Sequence, residues 1–105
     1  MLTIKMENHR VKNSKVYSGR EEGYELREKL NLEAIDKTKE PILFEFPVDT
    51  LSLTPSFFLG LFGASIRKLG AAEFRQVYHF RGTDVINRSI ENGIIRALKR
   101  SNPLG

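Results

Sequence analysis

Two histidines, His9 and His79, are the only imidazoles for proton transfer or metal ligation, and no cysteine accompanies them. Without a thiol there is no disulfide framework, no thiolate zinc site and no nucleophilic cysteine. His79 falls between Tyr78 and Phe80, and neither histidine has neighbours spaced as a triad or a ligand set would require. It reads as a strand histidine that faces the surface or is satisfied by a hydrogen bond. Glu21, Glu22, Glu25 and Glu28 are close enough along the chain for paired-carboxylate chemistry, but Arg27 and Lys29 are interleaved with them. That mixture reads as a solvated helix face with local ion pairs. Gly60, Gly63 and Gly70 form neither a GxxxxGK[ST] loop nor a GxGxxG turn. Gly60 and Gly63 read instead as places where a helix approaches the sheet or another subunit closely, since each costs a helix up to about 1 kcal/mol against alanine. No catalytic residue, cofactor or metal is expected from this set.

The elements that would position these side chains follow from hydrophobic spacing. Leu2, Ile4 and Met6 alternate with Thr3 and Lys5, which is strand period. Val16-Tyr17 extends a second short strand. Ser18-Gly19-Arg20-Glu21 has the form of a capping box, opening a charged outer helix over about 19–31 with Gly23, Leu26 and Leu30 inward. Residues 41–46, Pro-Ile-Leu-Phe-Glu-Phe, are a nearly continuous apolar run suited to a central strand covered on both faces. Glu45 breaks the run and must meet an edge, a partner or solvent. Residues 48–53 read as a loop. Thr54 at the N-cap and Pro55 at the first position then open a helix over 54–69, ended by Gly70. Ala71 to Phe74 add a turn, residues 77–80 form a strand, and Thr83 or Asp84 caps a last helix with Ile86, Ile90, Ile94, Ala97 and Leu98 inward. This order predicts an α/β domain: a small mixed, mainly parallel sheet of about four strands packed with three helices, its first strand antiparallel.

The 105 residues, 40% of them hydrophobic, suffice for one core, so 1–105 reads as a single domain with a frayed tail at 101–105. No apolar run reaches the roughly 20 residues that span a bilayer. The longest, 57–64, is interrupted by glycines, and the N-terminus lacks a signal-peptide pattern. A cytoplasmic protein without membrane contact is expected. Charge is uneven. Residues 1–66 hold nine Lys/Arg against ten Asp/Glu, net −1, and residues 67–105 hold eight against three, net +5.

Leu53-Thr54-Pro55-Ser56-Phe57, placed after the apolar strand and a short loop bearing Asp49, resembles the STAS-like family of uncharacterised bacterial proteins, relatives of the anti-sigma-factor antagonist domain. Leu61-Phe62-Gly63, Lys68-Leu69-Gly70 and Glu73-Phe74-Arg75 continue the resemblance, which covers about 16–100. The chain departs from the pattern in two places. Phe58, Leu59 and Gly60 follow the serine-phenylalanine pair where relatives often have an acid, and Glu45-Phe46 stands where an aspartate-phenylalanine pair is usual.

The resemblance implies a non-catalytic regulatory module that binds a protein partner, among them an ATPase of the histidine-kinase-like class. It also implies a phosphorylated hydroxyl at the start of the 54–69 helix, where a phosphate would meet free N–H groups and the positive end of the helix. Ser56 is the first candidate and Thr54 the second, because the usual position falls near Pro55, which has no hydroxyl. Against this stands the plain role of Thr54 as cap and Ser56 as first-turn residue. Asp49, on the preceding loop, and Phe58 complete the candidate contact set. Phe57 and Phe58 diverge by about 100° around a helix, so one of them is expected to approach the surface. The alternative is a nucleic-acid-binding module using Arg88, Arg96, Lys99 and Arg100 of the basic C-terminal third, with salt-dependent binding. Edge strands of a small open sheet pair readily with another copy, so a homodimer is expected.

Overall fold

Residues Ile42–Glu45 form a strand, here β3, with Ile42 and Phe44 buried and Leu43 and Glu45 half-buried. In the computed structural model of the chain, residues 1–11 and 14–100 are described, Arg100 by its backbone alone. The predicted tail at 101–105 and the Arg100 side chain lie outside the described residues. Leu2–Lys5 (β1) lies along one side of β3 and Tyr78–Arg81 (β5) along the other, in the order β1-β3-β5. Leu2 stands opposite Ile42 and Ile42 opposite Tyr78, both pairings parallel. The expected antiparallel first strand is therefore corrected. Two helices separate β1 from β3 in the chain, a crossover long enough to return it parallel.

β3 is central, as expected, but it is not covered on both faces. The Ile42/Phe44 face packs on helices, and Phe44 meets the Phe62 ring edge-on at 4.9 Å. Leu43 and Glu45 point the other way. Glu45 resolves its break in the run by pairing with Arg81 at 2.9 Å.

Val16–Tyr17 (β2) pairs with Ser52–Leu53 (β4) in a separate parallel pair. The expected loop at 48–53 thus ends in a strand. Backbone N–H groups of Leu51 and Thr54 donate to the Lys15 and Tyr17 carbonyls at 2.7 and 2.9 Å, so β4 is fastened at both ends. The described residues hold five strands in two sheets, where about four in one were expected.

Four helices are present among the described residues rather than three: Arg20–Leu30 (α1), Leu32–Thr38 (α2), Pro55–Val77 (α3) and Asp84–Arg100 (α4). The capping box at Ser18 does not form. Gly19, at φ 93°, is the N-cap without a side-chain hydrogen bond, which leaves Ser18 one residue outside the helix. α1 ends on Asn31 in the left-handed conformation, and α2 starts immediately afterwards.

α3 begins as predicted, with the Thr54 hydroxyl accepting from the Phe57 N–H at 3.3 Å and Pro55 in the first turn. Gly70 breaks the helix at φ 82°. It resumes to Val77 and passes directly into β5, so this strand starts at Tyr78 rather than Val77. Phe74 stacks on Tyr78 at 4.7 Å, and Phe62 lies edge-on to Phe80 at 5.3 Å.

α1 crosses α3 where two glycines face each other. A Cβ at Gly23 would strike the Phe57 carbonyl and come within 2.9 Å of the Leu61 nitrogen, and one at Gly60 would strike the Arg20 carbonyl. Gly60 thus marks a contact between two helices of one chain, not with the sheet or another subunit. At Gly63 the nearest atoms to an added Cβ belong to the flexible Arg67 side chain, from 3.1 Å, rather than to another helix's backbone. On α4, Ile86, Ile90, Ile94 and Ala97 are buried as predicted. Leu98, one residue and about 100° beyond Ala97, is 40% exposed instead of inward.

Candidate functional site

The start of α3 is held by its neighbours on both sides. Thr54 receives the β2 contact through its N–H and caps the helix through its hydroxyl, and its carbonyl accepts from the Phe58 N–H at 3.0 Å. Ser56 is exposed in the first turn, and among the described residues its hydroxyl makes no hydrogen bond. Upstream, the Thr50 hydroxyl donates to the Pro47 carbonyl at 2.7 Å and closes a tight loop. Asp49 sits exposed on that loop and pairs with Arg10 at 3.2 Å.

A groove of about 610 Å³ runs from the start of α3 to the last turns of α4. Leu53, Pro55 and Ile95 give it apolar surface, while Ser89, Asn92, Arg96 and Lys99 supply its polar rim. Sequence reasoning placed the hydroxyl candidates and the basic candidates in separate proposals. Folding brings Arg96 and Lys99 to a groove shared with Pro55, between Thr54 and Ser56 in the chain, and neither of those hydroxyl residues lines it.

Arg88 turns to a different hollow shared with Asp84 and Glu91. Glu91 is held there by both guanidinium nitrogens of Arg75, at 2.6 and 2.8 Å. The hydrogen bonds from Arg75 keep the Glu91 carboxyl below its ordinary range. Phe58 does not join the surface. It is fully buried, packed on Phe62 at 5.1 Å and against Gly93, and Phe57 is also buried. The helix is enclosed on more than one side, by α1 as well as α4, so both ring directions meet protein.

The charged face of α1 also differs from expectation. Arg27 turns inward and donates to Asp36 at 2.9 Å, to the Ser65 hydroxyl at 2.8 Å and to the Leu61 carbonyl at 3.0 Å. Asp36 has no exposed side-chain surface, and it also accepts from Ser65 at 2.8 Å and from the Tyr78 hydroxyl at 2.6 Å. Burial, and then the hydrogen bond to Asp36, raises the Tyr78 hydroxyl above its ordinary pKa. Among the described residues no buried side-chain polar atom lacks a partner, so this network is closed and joins α1, α2, α3 and β5. Only the spacing of Leu32 and Asp36, one helical turn apart, could have pointed to it.

The His79 ring donates one hydrogen bond, from Nε2 to the Gln76 carbonyl at 2.9 Å. No group of three or more His, Asp or Glu among the described residues could hold a metal ion, and no helix there is long and apolar enough to cross a membrane.

The chain matches no family model, no curated protein and no solved structure.

Proposed function

We propose that the chain is a non-catalytic, cytoplasmic regulatory module of the STAS-like kind that binds a protein partner through the groove between the start of α3 and the end of α4. The observation that carries this reading is the groove that sets apolar Pro55 and Ile95 beside the cations Arg96 and Lys99, next in the chain to the exposed Ser56. An apolar strip with a basic rim suits an acidic partner surface. A histidine-kinase-like ATPase is the partner class the resemblance implies. Phosphorylation of Ser56 would place two negative charges at the positive end of α3, next to the groove, and so change which surface fits. A homodimer joined through the β1 edge belongs to the same reading.

Capture from a bacterial host with the immobilised protein tests the groove. Wild type is expected to retain a partner that both Arg96→Glu/Lys99→Glu and Ser56→Glu lose, each variant still folded by circular dichroism. Equal retention by all three would refute the site. Partner loss that follows nuclease treatment would favour the nucleic-acid alternative, as would a low-salt gel shift at micromolar protein; none is expected.

A further inference from the structure

The main sheet has a second surface with the means to bind something, independent of the groove. β1, β3 and β5 run parallel and end level, with Lys5 opposite Glu45 and Glu45 opposite Arg81. The three level strand ends thus carry three charged side chains side by side. Here those ends border a cleft of about 410 Å³, lined on one side by Phe46, Pro47 and Val48 and on the other by the three charged strand ends. That volume falls within the range of roughly 300–1,000 Å³ typical of small-molecule sites.

The charges are not all spent on one another. Arg81 uses one guanidinium nitrogen on Glu45, at 2.9 Å, and its side chain is 69% exposed. Lys5 takes part in no ion pair among the described residues. Glu7, also on the lining, lies 4.0 Å from Arg10.

We propose that this cleft binds a small molecule bearing a single oxyanion, a phosphate monoester or a carboxylate, on an apolar body. The Lys5 ammonium and the open side of the Arg81 guanidinium take the oxyanion, a geometry guanidinium groups favour. Glu45 is a positioning residue that aims Arg81 across the strand ends. Pro47 and Val48 cover the apolar part. Two cations against Glu7 and Glu45 leave the lining charge-balanced, so a polyphosphate is disfavoured and recognition depends on placed contacts, not on net field.

An amide-resolved NMR titration of the whole chain tests this, with inorganic phosphate in one arm and benzoate in the other, at constant ionic strength maintained with chloride. Saturable shifts at Val48, Gly82 and Thr83 are expected, and the stronger arm identifies the oxyanion. Lys5→Gln, on an exposed edge position, should keep the native spectrum and bind about tenfold more weakly, as loss of one charge-assisted contact implies. Glu45→Gln should weaken binding too, by releasing Arg81. Absence of saturable shifts in both arms, shifts centred on Arg96 and Lys99, or wild-type affinity in Lys5→Gln would each overturn the proposal.

Discussion

Asp36 shows what one side chain can decide. Its carboxylate sits out of water between Arg27, Ser65 and Tyr78, so its removal strands three donors at once. Asp36→Ala should cost about 3–5 kcal/mol, the usual penalty for breaking a buried pair from one side, read as a lower urea midpoint. Tyr17, 2% exposed with its hydroxyl on the Met6 carbonyl at 2.7 Å, makes a pH prediction. Burial, the largest cause, pushes its pKa up from 10.0 to about 12. The unfolded chain therefore loses this proton first as pH rises. The contribution of this group is complete below pH 10 and is lost from there to about 12, and Tyr78 adds in the same direction. Urea midpoints taken on both sides of pH 10 should fall on the alkaline side, and less steeply in Tyr17→Phe. The cap at Thr54 was legible because proline follows it directly, a local signal with a local cause. Asp36 was not legible, because its partners lie on three other elements and its neighbour Lys37 makes the segment look like surface.

Between elements, the close packing of α1 on α3 depends on two missing side chains. Gly60→Ala improves helix propensity by about 1 kcal/mol yet drives a methyl into the α1 backbone. The clash should prevail, with a net loss of roughly 1–3 kcal/mol by chemical denaturation. Gly63→Ala, nearest to a flexible arginine side chain, serves as the contrast and should be neutral or stabilising. Long, strongly patterned elements were readable in advance: β3, α3 and the inward isoleucines of α4. α2 escaped because its buried side consists of Leu32 and a charged residue, which breaks the apolar periodicity. β4 escaped because two residues carry no period at all, and it is a strand only because β2 arrives beside it. The level charged ends of β1, β3 and β5 became a cleft only once register was known. From sequence, Lys5, Glu45 and Arg81 are unrelated positions.

On the scale of the whole molecule, the exposed edge of β1 sets the expected assembly. Met1 and Leu2 are 73% and 51% exposed there. Light scattering should report twice the 12.0 kDa chain mass, and Leu2→Lys should return it to a monomer. A single 12.0 kDa species in the wild type would refute the dimer. The uneven charge seen along the sequence also acquires a place, since α4 carries Arg96 and Lys99 to the groove while Glu91 is occupied by Arg75.

Among the described residues no strand pairing joins chain neighbours. Leu2 waits for Ile42, Val16 for Ser52, and Ile42 again for Tyr78. A nascent chain emerging from the ribosome thus has no hairpin with which to begin. Until Arg81 has been synthesised and released from the exit tunnel, Phe44 and Phe62 have no completed sheet to shelter them. The stretch from Leu2 to Arg81 must therefore be protected while it is made, and α4, which follows it, closes the core.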